Sequence, residues 1–297
     1  MHLSAKPLTA FAILCLSTLT ITGQVQAAKE DTLKVGITRN FFLNFSETIA
    51  KLVMQPFPEV VKQQTGLPGE IAMSPDSNEL CERMLKGDTH LGVFQGIEFH
   101  WACLKHPELK PLMLAVNEKT PLKAYLIVRK DEVGKPVASM AGKSLAIPSQ
   151  TRPFARLWME RRGVVPGKDL KSHYGRVIPV NDSEEALDDV IANRLDAVLV
   201  EKASWDRYKR LKPSTSENLG MLIESETFPS TVIAYFPKKV QPTHVDKFRS
   251  GMLTADKNPT SQRLLQLVKI SSFEPVPADF IEEGKELLSN YPPAAAK

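Results

Sequence analysis

Five consecutive residues carry the densest chemistry in the chain. Ser149-Gln150-Thr151-Arg152-Pro153 follow the apolar run Ser144-Leu145-Ala146-Ile147 and open a helical stretch that reaches Arg162. A proline at the first helical position, with hydroxyl or amide side chains just before it, marks a helix N-terminus. The first N–H groups of a helix have no partner inside it and the peptide dipoles favour negative charge there, so such a junction is a natural anion site. Arg152 adds a full charge and a planar pair of donors suited to an oxyanion or a carboxylate. The plainer reading is a capped helix with Arg152 in solvent. Three other segments place polar residues just after a strand: Arg39-Asn40-Phe41 after Leu33–Ile37, Gln95-Gly96 after Leu91–Phe94, and Glu201 after Ala197–Val200. The first two share one edge of their sheet, and Glu201 either meets a cationic group or caps the next helix.

Spacing excludes other chemistry. There is no Gly-x-Ser-x-Gly, Ser-x-x-Lys or His-Glu-x-x-His, so the common hydrolase signatures are missing. Gly142-Lys143-Ser144 ends like a phosphate loop, but Val137 stands where that loop needs glycine, and the segment reads as a turn into a strand. His90, His100 and His106 match no ligand spacing, and neither a metal nor a cofactor is expected. The 38 Lys and Arg against 34 Asp and Glu leave +4 without any block of five or six like charges, which speaks against a nucleic-acid partner.

The elements that hold these residues emerge from the patterning. At 297 residues, 42% hydrophobic and 24% charged, the chain is long enough for two lobes with ordinary cores. His2 and Lys6 precede an apolar run from Leu8 to Ile21 and a polar stretch ending Val25-Gln26-Ala27, the order of a signal peptide over residues 1–27. The run, about 14 residues, is shorter than the roughly 20 that span a bilayer. Leu14 before Cys15, where a lipid-anchored chain has a small residue, argues against a lipid anchor. Export to the periplasm is the expectation, and the even pair Cys81 and Cys103, on two predicted helices, is expected to form a disulfide there, with buried free thiols as the alternative. Strands over 33–37, 70–73, 91–94 and 112–116 alternate with helices over 46–64, 77–85 and 97–105. A second series follows, with strands over 124–128, 144–147, 177–180 and 197–200 and helices over 153–162 and 183–193. After the turn cluster Pro213–Ser216, strands over 221–223 and 232–235 run back, and the chain is predicted helical from Thr243. This order fits an α/β protein whose first lobe takes residues 28–121 and 230–297, with a second lobe, 122–229, inserted through crossing strands near 122–128 and 221–235. The space between such lobes is where a small ligand binds.

Three motifs add a resemblance. Leu91-Gly92-Val93-Phe94-Gln95-Gly96, Ser144-Leu145-Ala146-Ile147-Pro148-Ser149-Gln150-Thr151, and Ala186 through Asn193-Arg194-Leu195-Asp196-Ala197-Val198 occur in the order seen in the phosphate/phosphite/phosphonate-type periplasmic substrate-binding proteins of ABC transporters. The chain resembles that family over roughly residues 33–282. The resemblance implies the two-lobed, hinge-closing type II fold, each lobe a mainly parallel sheet flanked by helices, and binding without catalysis for a membrane permease. One departure stands out: Gln150 interrupts the Ser/Thr run and Arg152-Pro153 replaces the small residues that follow it, so a carboxylate or another oxyanion becomes as admissible as a phosphonate. Glu201 matches the family's acidic or polar position after the Asp-Ala-apolar strand. The expected ligand contacts are thus Arg39, Asn40, Phe41, Gln95, Gly96, Ser149, Gln150, Thr151, Arg152 and Glu201, in a monomer. A sensory protein presenting its ligand to a membrane receptor, or an enzyme using the same cleft, are the rival readings.

Overall fold

Apolar runs such as Leu33–Thr38, Ala124–Arg129 and Ala197–Glu201 are almost wholly buried, as strands must be in sheets covered by helices on both faces. The computed structural model describes residues 32–42, 46–116, 121–267 and 270–293. The expected signal segment 1–27, with Cys15, lies outside the described residues. Among the described residues no helix is long and apolar enough to cross a membrane.

The chain runs β1 (Leu33–Thr38), α1 (Glu47–Met54), α2 (Phe57–Thr65), β2 (Gly69–Ser74), α3 (Ser77–Lys86), β3 (Leu91–Phe94), α4 (Gly96–Lys105) and β4 (Lys110–Val116). It continues with β5 (Ala124–Arg129), β6 (Ser144–Pro148), α5 (Pro153–Arg162), α6 (Leu170–His173), β7 (Arg176–Val180), α7 (Ser183–Ile191), β8 (Ala197–Glu201), α8 (Lys202–Leu211), α9 (Pro213–Ser216) and β9 (Leu219–Glu224). The last part holds β10 (Thr231–Tyr235), α10 (Pro242–Met252), α11 (Pro259–Leu267), β11 (Ser272–Glu274) and α12 (Phe280–Asn290).

Two sheets result, ordered β11-β4-β10-β3-β1-β2 and β7-β6-β8-β5-β9. In each, a parallel trio carries the βαβ connections: β2-β1-β3 in the first and β7-β6-β8 in the second. The strands next to the passages between sheets are antiparallel: β10 lies between β3 and β4, and β5 between β8 and β9, so both sheets are mixed. The chain passes from β4 to β5 and back from β9 to β10. On these two passages Leu122 and Phe228 form an isolated antiparallel bridge, with the Phe228 N–H donating to the Leu122 carbonyl at 2.8 Å.

Apolar layers cover each face of each sheet. Leu33, Val35, Leu91, Met113 and Ile233 meet α2 and α10 on one side of the first sheet, and Phe94, Leu114, Val232 and Ala234 meet α3 and α4 on the other. A third layer joins Leu126, Leu145 and Trp158 of the second sheet's side to Ile97 of α4 and to Leu287 and Tyr291 at the end of α12. Tyr291, fully buried, donates its hydroxyl to Glu226 at 2.7 Å, and its carbonyl accepts from Trp101 Nε1 at 2.8 Å.

The structure departs from sequence expectation in several places. The stretch 46–64 is two helices, because Pro56 has no N–H to continue the first and instead starts the second. Pro213–Ser216 is a short helix, not only a turn. The region after Thr243 is not all helical: Ser272–Glu274 pairs with the open edge of β4. The expected Cys81–Cys103 bridge is absent, and both are free thiols. Both sit in or against the layer under α3 and α4, where a thiol serves as a small apolar side chain. Burial pushes the Cys81 thiol up to about 12 and that of Cys103 to about 11.

Protein lacking residues 1–27 should therefore titrate two thiols per chain in denaturant and show almost no reaction with a thiol reagent in the native state at pH 8. A count below two after unfolding would show that the bridge forms. A second expectation concerns His100, 3% exposed, whose ring fills the space that a Cβ on Gly284 would enter at 2.0 Å. Burial lowers its pKa from 6.5 to about 4, so folding holds it neutral. Its contribution is complete above pH 6.5 and is lost as the pH falls from there through about 4, by about 3 kcal/mol. Urea unfolding at stepped pH should show this loss, and His100→Leu should flatten it.

Candidate functional site

The strand-to-helix junction at Pro148–Pro153 is held from beneath. Arg156, on the first turns of α5, donates to the carbonyls of Thr151 at 3.2 Å, Pro148 at 3.1 Å and Ser149 at 3.4 Å. With its carbonyls gathered on one cation, the loop keeps one shape. Three of its N–H groups are used inside the fold: Ser149 donates to Val180 at 2.7 Å, Thr151 to Pro148 at 3.0 Å and Arg152 to Glu201 Oε1 at 2.8 Å. The Arg152 guanidinium also meets Glu201, through Nε and a terminal nitrogen, and lies over the Phe154 ring at 5.4 Å. Glu201 ends β8 and is the N-cap residue of α8, yet its side chain makes no cap bond there and turns to Arg152 instead. The carboxylate at the start of α5 is thus the protein's own. Gly142, at φ 76°, turns the chain into β6, and Ser144 fastens that strand to Asp196 at the start of β8 with bonds of 2.9 and 2.7 Å, which accounts for the Gly-Lys-Ser segment.

Across the cleft, the buried Glu98 of α4 organises the other polar group. It accepts from Thr38 Oγ1 at 3.1 Å, from Asn40 Nδ2 and from the Gln95 N–H at 3.4 Å. Gln95 completes a capping box with Glu98 and donates Nε2 to the Asn40 carbonyl at 3.3 Å. Burial pushes the Glu98 carboxyl above its usual range against the opposing pull of these donors. Gly96 is required beside it, because a Cβ there would come within 2.2 Å of the Pro229 carbonyl on the returning passage.

Between the two groups lies a cavity of about 360 Å³, a size ordinary for small-molecule sites. Asn40, Phe41, Gln95 and Gly96 line it from the first sheet, and Gln150, Thr151 and Arg152 from the second. Arg39, exposed, and Ser149 and Glu201, partly buried, are outside its lining. Much of the wall comes from side chains that sequence reasoning assigned to no site: Phe42, Met54, Phe57, Phe154, Phe228 and Phe273. Their apolar spacing in α1, α2 and the strands carries the same signal as core, so only the fold separates the two. Among the described residues Arg152 is the one charged residue in the lining, and no cluster of His, Cys, Asp or Glu could hold a metal.

The sequence and the fold are similar to those of known proteins. Residues 41–280 match the family model described as ABC transporter, phosphonate, periplasmic substrate-binding protein. A search of curated sequences finds no match. Solved structures share the fold: XAC2383 from Xanthomonas citri bound to ATP has 16% identity and TM-score 0.58, over 88% of this chain and 96% of that one. The binding protein component of an ABC phosphonate transporter from Pseudomonas aeruginosa has 14% identity and TM-score 0.55, over 90% of each chain. PhnD1 from Prochlorococcus marinus in complex with methylphosphonate has 15% identity and TM-score 0.54, over 87% and 98%. Two α/β sheets joined by two passages around a shared cavity, with a family model spanning most of the sequence, place this chain in the phosphonate-type periplasmic substrate-binding protein family of ABC transporters.

Proposed function

We propose that this chain is exported through a cleaved signal peptide over residues 1–27 and captures a small solute in the cleft for an ABC permease. The observation that carries this reading is the cavity itself, walled by Asn40 and Gln95 on one side and by Thr151 and Arg152 on the other. A ligand that touches both walls binds best when they approach, so its binding energy favours a closed arrangement. The bodies that move are residues 28–121 with 230–297 and residues 122–229, and the bend falls where Leu122 and Phe228 pair. The ligand's polar head lies against Thr151, Gln150, Gln95 and Asn40, and its body against Phe41, Phe154 and Phe228. Binding without bond making is supported by the family match, whose model is described as a substrate-binding protein.

A thermal-shift screen of phosphate, phosphite, phosphonates, sulfonates, carboxylates and their uncharged amides finds the solute, since binding to the native state raises the melting temperature. Small-angle scattering at saturation should then show a smaller radius of gyration. An unchanged profile with binding confirmed by calorimetry would rule out closure. Thr151→Ala should weaken that binding by about 1 kcal/mol with the circular dichroism unchanged, as expected for one lost hydrogen bond. Wild-type affinity in that variant would move the ligand away from the junction.

A further inference from the structure

The cavity reaches far beyond the polar groups that face each other across the cleft. Every strand of the first sheet contributes to its wall: Phe273, Ala115, Thr231, Val93, Ile37 and Ile71, in the order β11-β4-β10-β3-β1-β2. Strands lie about 4.8 Å apart, so this floor extends roughly 20 Å across the sheet. Val53 and Met54 of α1 and Phe57 at the start of α2 close the space from the helix side. Burial shows that it is open. A central strand of a sheet covered on both faces buries its apolar side chains. In β3, Leu91, Gly92 and Phe94 are buried, whereas Val93, with β10 on one side and β1 on the other, is only half-buried. Val53, Phe57 and Ile71 are half-buried too. At about 30 Å³ for a group the size of water, the 360 Å³ hold at least a dozen such groups, and methylphosphonate fills less than half of that.

The chemistry of the wall is divided. Where the two sheets face each other, Asn40 Nδ2 and Gln95 Nε2 each keep a second N–H, and Gln150 and the Thr151 hydroxyl add donors. Arg152, although paired with Glu201, leaves 33% of its side chain exposed and supplies the charge. Away from that end, Thr231 is the one polar side chain among the described lining residues. An ion loses its hydration against such a wall without recovering it, whereas hydrocarbon gains by leaving water.

We propose that the solute is an amphiphile, with an oxyanion head held by Asn40, Gln95, Thr151 and Arg152 and a linear hydrocarbon tail of roughly six carbons lying in the apolar chamber over the first sheet, along Val93 and Ile71. This rests on the cleft being a solute site and extends that reading to the body of the solute.

Calorimetry at pH 8 on protein purified from an exporting host tests it with the methyl, butyl and hexyl members of the phosphonate, sulfonate and carboxylate series. Within the head series that binds, affinity should rise about fourfold per methylene up to hexyl, as burial of each CH₂ requires. Val93→Phe puts a ring into the chamber and should lower the ratio of hexyl to methyl affinity at least tenfold. Ile71→Phe narrows the chamber from the edge strand and should lower the same ratio, which covers the case in which Val93→Phe does not fold. Equal affinity from methyl to hexyl, or an unchanged ratio in the variants, overturns the proposal while solute capture stands. Binding by none of these probes, when the thermal-shift screen yields another ligand, also overturns the proposal alone. A blank in both experiments overturns solute capture at this cleft as well.

Discussion

A chain that leaves one sheet, builds a second and returns must pass twice between them, and most of this architecture follows from those two passages. They make β10 and β5 run antiparallel to their neighbours, and they bring Leu122 and Phe228 together as a two-stranded link. They also fix where the polar residues end up. The carboxyl ends of β1, β3, β6 and β8 open toward the space the passages leave, which is the usual place for a ligand in an open α/β sheet. Asn40, Gln95, Thr151 and Arg152 are neighbours across that space although more than a hundred positions separate the first from the last. Gly96 belongs to the same constraint, since the returning passage runs too close to the start of α4 for a side chain.

Much of this was legible in the sequence because it depends on local patterning. The apolar runs that became β1, β3, β6 and β8 announce themselves by composition, and Pro153 marks the first residue of α5. Proline also explains an error: Pro56 splits a helix whose apolar spacing continues unbroken across it. β11 was hidden because three residues, Ser272–Glu274, carry no periodicity of their own and form a strand only by pairing with the edge of β4. The cysteines mislead for a related reason: an even count speaks of compartment and pairing, whereas the layer beneath α3 and α4 accepts both as small apolar groups.

The site itself was half legible. The junction at 148–153 is a helix N-terminus, as its hydroxyls and proline indicate, but whether its donors are free depends on residues far away in the chain. Val180 takes one N–H, and Glu201 takes another together with the guanidinium. No local pattern reveals such commitments. Glu98 went unnoticed because it reads as an ordinary first-turn acid of α4, although it holds Asn40 and Gln95 in place. A family match identifies the scaffold, and the bonding inside the cleft is a separate property of these particular side chains.

The order of elements along the chain has a consequence for how the molecule is assembled. Every strand of the second sheet lies between Ala124 and Glu224, so its pairings can form from a continuous segment. The first sheet pairs β3 and β4 with β10, and its α4 with α12, across that entire segment, and such distant closures are the slow ones. Tyr291, among the final described residues, completes the buried layer that contains Trp158 and Phe228. The topology therefore sets a sequence of events in which the middle of the chain consolidates early and the two outer parts join around it last. Until the last helix has arrived, Ile97, Phe228 and the face of α5 lack their cover.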